Sequence, residues 1–204
     1  APAAAAATEV PAAEAPAAEE PAAAEEPAAE EPAAAAGGEF HGAYPYQVPP
    51  TGHLNTYVTA GIPQGIGPYF DLLLLPGARY YWGDGSYMPL AAESWEFQPP
   101  DKFVVKVRQG IKWSDGTDFT AQDWVTTWNV GRLFKWTIFN YVDTVTAVDD
   151  YTVEFLMGTP STVVERYVLN ERIRDTSTYG ALADEAMALV DAGTTEGDEW
   201  SALV

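Results

Sequence analysis

The sequence predicts an α/β fold in which antiparallel hairpins and helices follow a long non-globular segment. Three segments place strand-forming residues on both sides of a turn, which is the pattern of a β-hairpin. Helical periodicity begins after the second hairpin, behind a capping signal at Thr120, and returns near 161–170 and 177–191 after the third. Strands and helices that interleave in this way indicate a mixed α/β domain.

Turn residues and alternating apolar positions identify the hairpins. The first follows an aromatic run, and its turn is an Asp-Gly pair that hairpins favour. In the second hairpin, apolar and polar residues alternate on both sides of a Pro-Pro-Asp turn, and Phe103, Val105 and Val107 lie on the predicted buried face. The predicted hairpins are residues 79–89 with Asp84-Gly85 in the turn, residues 95–107, and residues 144–157 with Asp149-Asp150 in the turn.

The remaining elements are predicted from shorter patterns. Residues 53–59 have the β-branched and aromatic character of a short strand, and residues 69–76 fit either a helical turn or a buried strand. The helix that starts at Thr120 has Asp123 three residues on, in the position of a capping box. Its residues Trp124, Trp128 and Leu133 are predicted to share one face. A further helix is expected from about Thr195.

The first 38 residues have a composition that does not support a folded domain. They are almost entirely Ala, Pro and Glu, without Lys, Arg or an aromatic residue. The recurring prolines remove backbone donors that a helix needs, and the like-charged glutamates keep the chain extended. We therefore expect residues 1–38 to be a disordered Ala/Pro/Glu spacer and residues 39–204 to form the folded part.

The net charge of −20 limits the classes of partner. A surface this acidic does not favour nucleic acid or anionic lipid, because both bind clustered Lys and Arg. The sequence has no cysteine, which excludes disulfides and thiolate chemistry. His41 and His53 stand apart without a carboxylate pattern, and Asp149-Asp150 is most simply a hairpin turn. We therefore expect no catalytic residue, no metal site and no cofactor.

The most specific stretch is VRQGIKWSDGTDFTAQDWVTTWN, residues 107–129. With PLAAESWEF before it and AVDDYTVEF after it, this stretch resembles the N-terminal part of the oligopeptide- and dipeptide-binding proteins. These are the extracytoplasmic solute-binding proteins of ABC importers, family 5. Residues 89–157 agree with the family pattern in order and spacing, and residues 53–88 agree loosely. Val107 replaces the usual Leu, and Trp124 stands where Val or Phe is common.

The resemblance implies a periplasmic-binding-protein-like fold of type II, cluster C. Such proteins have two α/β lobes joined by a hinge, and they enclose the solute between the lobes. Residues 39–204 would form part of the first lobe with a small antiparallel side subdomain, because family members are usually much longer. The spacer has no counterpart in the ligand-binding fold of the family.

The Trp-Ser-Asp-Gly motif is expected to be structural, with direct ligand contact as the alternative. Asp115-Gly116 would form a tight turn, and Thr120 with Asp123 would fix the start of the helix. Trp113 would pack under the small sheet. On this interpretation the motif marks the family, and the solute is held elsewhere.

The resemblance also implies two groups of ligand-binding residues. The loop after the first predicted strand aligns with a loop whose backbone pairs with ligand in peptide-binding members; the alternative is an ordinary surface turn. The aromatic residues after the long helix occupy a region where an aromatic lines the pocket in some members; their alternative is core packing. The predicted ligand-binding residues are Ala60, Gly61, Ile62, Trp136, Phe139 and Tyr141.

The function implied by the resemblance is that of a non-enzymatic receptor that delivers peptides to ABC permease subunits. An oligosaccharide receptor of the same family stays open, since aromatic faces stack on sugar rings and the chain has seven tryptophans. A surface or assembly component is a third interpretation. A spacer that opens on Ala rather than Met suits an extracytoplasmic protein, periplasmic or at the cell surface, whose processed N-terminus carries a lipid anchor. A leader trimmed for expression is the alternative.

Overall fold

Most of the C-terminal three quarters of the chain is described by the computed structural model. The described residues are 53, 55–58, 70 and 73–204. They belong to one unit of the chain, Ala43–Val204. The predicted spacer, the predicted boundary at residue 38, and three of the predicted ligand-binding residues lie outside the described residues; those three are Ala60, Gly61 and Ile62.

Two antiparallel sheets and four α-helices make up the described part. In chain order the elements are β1 (Ala78–Tyr81), β2 (Ser86–Pro89), β3 (Ala92–Gln98), β4 (Lys102–Val107), α1 (Ala121–Leu133), a 3-10 helix (Thr137–Asn140), β5 (Val142–Asp149), β6 (Thr152–Met157), α2 (Val163–Asn170), α3 (Thr176–Asp191) and α4 (Asp198–Leu203). Strands β1 and β2 form a two-stranded sheet, and the other four form a sheet in the order β3-β4-β6-β5. The mixed α/β architecture predicted from the sequence is confirmed.

All three predicted hairpins are present, and short polar side chains stabilise two of their turns. Asp84 accepts a hydrogen bond from the backbone N–H of Ser86 at 3.0 Å, and Gly85 adopts a φ of 73°, which favours glycine. In the β5–β6 turn, Asp149 accepts a bond from the N–H of Tyr151 at 2.8 Å. These Asx turns explain why Asp residues mark both reversals.

Helix α1 is buried on nearly every side, because it lies between the four-stranded sheet and α3. On the sheet side, the ring of Trp128 meets Phe155 edge to face at 5.8 Å. Leu133 belongs instead to a separate cluster with Ala186 and Trp200. The prediction that Trp124, Trp128 and Leu133 share one face is therefore wrong. Nine residues from Trp124 to Leu133 amount to two and a half helical turns, which reverses the direction of the side chain.

The Trp-Ser-Asp-Gly motif leads into α1 through the predicted turn and cap. Gly116 has a φ of 89°, and Asp115 accepts bonds from the N–H and the hydroxyl of Thr117 at 2.9 and 2.6 Å. Thr120 is the N-cap of α1 and forms a capping box with Asp123. Trp113 packs against Phe119 at 5.2 Å between ring centroids. The motif is thus part of the fold, as its structural interpretation predicts.

Asp123 also joins the start of α1 to the start of α3. One carboxylate oxygen accepts bonds from the backbone N–H of Thr120 at 2.8 Å and from the indole N–H of Trp113 at 3.1 Å. The other accepts from the N–H and the hydroxyl of Thr176, both at 2.8 Å. Only 3% of Asp123 is exposed, and four donors, three of them at two helix N-termini, compensate for the burial of the carboxylate.

Near the beginning of the described part, the structure differs from the strand predicted at 53–59. Thr56 and Tyr57 lie in a turn, and Asn55 accepts a bond from the N–H of Tyr57 at 3.0 Å. The Asn side chain thus satisfies the backbone locally, which competes with strand pairing. For residues 69–76 the sequence allowed either a helical turn or a buried strand. The N–H of Leu74 donates to the carbonyl of Phe70 at 2.8 Å, which identifies a helical turn.

Candidate functional site

The chain leaves α1 through a helix-ending turn that carries a lysine in a left-handed conformation. The N–H of Trp136 donates to the carbonyl of Gly131 at 3.3 Å, and the N–H of Lys135 donates to that of Arg132 at 3.0 Å. This is the Schellman pattern, in which the left-handed residue is usually glycine. Here Lys135 occupies that position with a φ of 50°. The turn directs the chain back so that Trp136 covers the end of α1.

Gly131 makes the close approach of Trp136 possible. A Cβ atom at Gly131 would lie only 2.4 Å from the nearest ring carbon of Trp136, which is far inside van der Waals contact. The indole of Trp136 also meets the ring of Trp128 edge to face at 5.5 Å. A glycine within a helix usually has such a packing reason, and in this chain the reason is the placement of Trp136.

On another side, Trp136 belongs to an aromatic cluster around a buried arginine. The ring of Tyr57 stacks with Trp136 and with Phe134, each at 5.7 Å between centroids. The guanidinium of Arg174 lies 4.1 Å from the centroid of Tyr57 and 5.5 Å from that of Trp136. Arg174 is 5% exposed and forms an ion pair with Glu171 at 2.9 Å. Burial of such a cation requires this kind of pairing.

Polar contacts fix the positions of Arg174 and Tyr57 within this cluster. The Nε of Arg174 donates to the hydroxyl of Thr56 at 2.7 Å, and its backbone N–H donates to the hydroxyl of Thr127 at 2.9 Å. The hydroxyl of Tyr57 donates to the carbonyl of Thr127 at 3.2 Å. Burial raises the pKa of Tyr57 far above its ordinary value, against the lowering effect of Arg174. Tyr57 therefore stays protonated and remains a donor.

A cavity of about 340 Å³ opens beside Trp136; we call it the Trp136 cavity. Its wall includes Trp128, Phe134 and Tyr167, and its polar groups include Lys135 and Glu171. The Nε1 of Trp128 is buried without a hydrogen-bond partner among the described residues. Aromatic walls with a few polar groups are typical of sites that bind small organic molecules.

A second cavity of about 310 Å³ lies on another side of Trp136, and Phe139 and Trp200 contribute to its wall. The guanidinium of Arg132 lies 4.2 Å from the centroid of Phe139. Trp136 and Lys135 border both cavities. Tyr141 follows the 3-10 helix and does not line either of these two cavities. Of the three predicted aromatic residues, the structure therefore brings Trp136 and Phe139 to cavity walls, with Trp136 at the centre.

The charges at the Trp136 cavity have opposite signs. Lys135 supplies an ammonium group and Glu171 supplies a carboxylate, of which one oxygen is engaged by Arg174. The aromatic rings offer faces for stacking or apolar contact. This arrangement can hold an organic solute by ring contact and by hydrogen bonds at both a cationic and an anionic group.

Replacing Lys135 by Gly is expected to raise the free energy of unfolding by about 0.5–1 kcal/mol. The reason is that an L-residue in the left-handed region carries a conformational cost that glycine avoids. Urea denaturation followed by circular dichroism measures the change. Lys135→Ala is the matched control, because it removes the charge and keeps the strain. A Lys135→Gly protein less stable than Lys135→Ala would contradict the argument.

Sequence reasoning did not find Lys135, Tyr167 or Glu171. They come from the end of α1 and from α2, and only the packing of the elements brings them together. Gly131 did leave a signal in the sequence, because a glycine inside a helical pattern indicates close packing. His53 makes a local contact, in which its Nδ1 accepts a bond from the N–H of Asn55 at 3.2 Å.

Within the described part of the chain, no group of three or more His, Asp or Glu residues could hold a metal ion. None of the helices described is long and apolar enough to cross a membrane.

A mixed α/β unit with aromatic-walled cavities and polar groups at their rims has the features of a protein that binds organic solutes. The chain belongs to the bacterial extracellular solute-binding proteins of family 5. The sequence model described as "Bacterial extracellular solute-binding proteins, family 5 Middle" matches residues 86–195, more than half of the chain. This match confirms the family that the motif around Trp113 indicates.

Known relatives share parts of this chain. A probable ABC transporter-binding protein of Deinococcus radiodurans is 36% identical over 80 residues, which cover 34% of this chain and 13% of that protein. The periplasmic oligopeptide-binding protein OppA of Escherichia coli K12 is 44% identical over 45 residues, 22% of this chain and 8% of OppA. The chain thus matches only a small part of each relative.

The fold is also similar to that of a solved structure. The mannohexaose-bound periplasmic oligopeptide-binding protein of Thermotoga maritima superimposes with a TM-score of 0.50 at 22% identity, over 57% of this chain and 23% of that one. This likeness confirms the periplasmic-binding-protein-like fold for the part that is covered. The superimposed part makes up less than a quarter of the Thermotoga protein.

Proposed function

We propose that this chain is part of an extracytoplasmic receptor that binds peptides for an ABC importer. The Trp136 cavity is the observation that carries the proposal, because it combines aromatic walls with Lys135 and Glu171. A peptide has apolar side chains, amide groups, an ammonium and a carboxylate, and the cavity offers a complement to each. Among the relatives, OppA is named an oligopeptide-binding protein and the Deinococcus protein an ABC transporter-binding protein.

Within this proposal, Trp136 and Phe139 supply ring surface for the side chains of the peptide. The backbone of Ala60, Gly61 and Ile62 is proposed to pair with the main chain of the peptide, as extended peptides commonly bind. Tyr141 is proposed as a more remote contact. The partners are ABC permease subunits, and the receptor works outside the cytoplasm, held at the membrane by a lipid at its N-terminus. No step of this function requires a catalytic group.

An oligosaccharide is the second candidate solute. Sugar rings stack on aromatic faces. The wall of the Trp136 cavity contains Trp, Phe and Tyr side chains, among them those of Trp136 and Tyr167. The Thermotoga protein carries mannohexaose although it is named an oligopeptide-binding protein. In this second candidate, the hydroxyl groups of the sugar bond to Lys135 and Glu171 at the same cavity.

Replacing Trp136 by Ala in the complete gene product is expected to weaken solute binding about tenfold or more, because buried aromatic contacts dominate such sites. Isothermal titration calorimetry with a pool of short peptides and a pool of cello-oligosaccharides measures the change. The unmodified protein is expected to bind peptides at about micromolar affinity or better.

Trp82→Ala is the matched control, since this exposed tryptophan lies outside both cavities. Its affinity for peptide is expected to stay within about twofold of the unmodified value, a change below about 0.5 kcal/mol. Binding of the saccharide pool alone would favour the second candidate. An unmodified protein that binds neither pool would refute the transport proposal and favour a surface or assembly role.

A further inference from the structure

The carboxylate of Glu171 is held through only one of its two oxygens. Oε1 accepts a hydrogen bond from Nη1 of Arg174 at 2.9 Å and another from the backbone N–H of Arg172 at 3.2 Å. Within the described part of the chain, Oε2 accepts no hydrogen bond. Each oxygen of an ionised carboxylate can accept about two hydrogen bonds. Glu171 thus has a fixed position and an acceptor atom that the described residues do not use.

The ion pair of Glu171 with Arg174 presents its negative end to the Trp136 cavity. Glu171 belongs to the wall of this cavity, and Arg174 does not. The side chain of Glu171 is 27% exposed, whereas that of Arg174 is 5% exposed. The guanidinium is therefore shielded from a solute, while the carboxylate can be reached from the cavity. A pair oriented in this way attracts a positive group and repels a negative one.

Lys135 does not supply a positive group that pairs with Glu171. Its ammonium lies 5.9 Å from the centroid of the Trp200 ring. Trp200 belongs to the wall of the second cavity, on another side of Trp136, and does not line the Trp136 cavity. The ion pair of Glu171 is with Arg174 instead. A partner for Oε2 is therefore left to solvent or to a bound molecule.

The remaining wall of the Trp136 cavity favours a cation over a neutral hydroxyl group. It contains the rings of Trp128, Phe134, Trp136 and Tyr167. The face of an aromatic ring carries a negative partial charge, so it attracts a cation within about 6 Å. The same rings can pack against the carbon atoms next to the charge. A carboxylate oxygen among aromatic rings therefore matches an alkylammonium group, which has up to three N–H donors on a carbon chain.

We propose that the Trp136 cavity selects the alkylammonium group of its solute, with Oε2 of Glu171 as the acceptor and the aromatic wall around the cation. The inference rests on the proposed function, because it names the part of the peptide that occupies this cavity. Two parts of a peptide have this chemistry, the N-terminal ammonium and a lysine-type side chain. A neutral saccharide has neither, so Glu171 favours a peptide over the second candidate solute.

The test compares three tripeptides by isothermal titration calorimetry with the complete gene product. Ala-Ala-Ala has an N-terminal ammonium, N-acetyl-Ala-Lys-Ala has only the side-chain ammonium, and N-acetyl-Ala-Ala-Ala has neither. The last is expected to bind about tenfold or more weakly than the better of the other two, because a hydrogen bond between charged groups is lost. The order of the first two identifies the source of the ammonium group.

Glu171→Gln shows whether Glu171 causes this difference. Gln keeps an oxygen for Arg174 and for the N–H of Arg172 but carries no charge. In this variant the loss on removal of the ammonium is expected to fall to about twofold, since a cycle of two changes isolates the contact between them. Glu154→Gln is the matched control, because the side chain of Glu154 is also 27% exposed and pairs with Lys102 at 2.8 Å. Glu154 lies outside the Trp136 cavity, so its variant is expected to keep the full loss.

A smaller probe tests the Trp136 cavity without a peptide. 1-Butylammonium chloride is titrated while the indole N–H signal of Trp136 is followed by NMR, with the ionic strength kept constant by NaCl. A saturable shift is expected, and a clearly smaller one with the neutral 1-butanol or in Glu171→Gln. Circular dichroism verifies that each variant is folded. If Glu171→Gln does not fold, the tripeptides and the two small probes still test the proposal on the unmodified protein.

Three results would overturn the proposal. One is equal affinity for the three tripeptides, which would leave the peptide receptor intact without selection for ammonium. Another is the same loss on removal of the ammonium in Glu171→Gln and in the unmodified protein. The third is a Trp136 signal that responds equally to 1-butylammonium and 1-butanol, or to neither. A protein that binds no tripeptide but shows the 1-butylammonium shift would refute the peptide receptor and support the ammonium site.

Discussion

Replacing Trp128 by Ala is expected to lower the free energy of unfolding by about 3–5 kcal/mol, as large-to-small changes of buried aromatic residues do. Trp128 is 2% exposed, and its ring contacts Phe155 of the sheet, Trp136 and Phe139 edge to face. The change therefore leaves a cavity between α1 and the sheet. Chemical denaturation monitored by circular dichroism measures the effect.

Trp82→Ala is the comparison for the same substitution at the surface. Trp82 is 77% exposed, and it contacts the guanidinium of Arg166 at 3.9 Å from the ring centroid. Its loss is expected to cost less than about 1 kcal/mol, because an exposed cation–π contact is weak. Similar losses of stability in Trp128→Ala and Trp82→Ala would contradict the tight packing described around α1.

Asp123→Ala is expected to destabilise the protein by at least about 4 kcal/mol. The substitution leaves four half-buried donors without their acceptor, and each costs about 1 kcal/mol or more when it is kept from water. Two of these donors belong to Thr176 at the start of α3, so the effect extends from α1 to α3. Urea denaturation of the purified variant, followed by tryptophan fluorescence, gives the loss of stability.

Asp115→Ala is the matched control, because Asp115 also accepts two bonds from one threonine, Thr117, but at the surface. We expect Asp115→Ala to lower the free energy of unfolding much less than Asp123→Ala. If Asp123→Ala does not fold, Thr176→Val removes the two hydroxyl bonds, to Asp123 and to Thr126, and keeps the backbone bond; it is expected to cost about 1–3 kcal/mol. An Asp123→Ala protein as stable as Asp115→Ala would refute the role given to Asp123.

The hairpins and the start of α1 could be predicted because their signals are local. Asp84-Gly85, Asp149 and the pair of Thr120 with Asp123 each act within a few residues. Contacts made by more distant residues could not be predicted in this way. The bonds of Asp123 to Thr176 span 53 residues, and nothing near Asp123 in the sequence indicates that a second helix begins beside it.

The candidate site was predicted less completely than the fold, for a related reason. Aromatic residues after a long helix indicated Trp136 and Phe139, but equally suited core packing. The polar groups of the Trp136 cavity include Glu171 as well as Lys135. Tertiary packing brings Glu171, paired with Arg174, to the site. The strand predicted at 53–59 is absent from its described residues because the side chain of Asn55 accepts a hydrogen bond within a local turn. Such a bond competes with strand pairing, and β-propensity alone does not take it into account.

The order β3-β4-β6-β5 has a kinetic consequence for the chain. Strands β3 and β4, and likewise β5 and β6, are sequence neighbours, so both hairpins can form with little loss of chain entropy. Pairing of β4 with β6 joins Lys106 to Thr152, 46 residues apart, and the loop so closed contains the whole of α1. The length-dependent part of that closure costs about 3 kcal/mol of conformational entropy. The sheet as a whole therefore forms in a slower, non-local step.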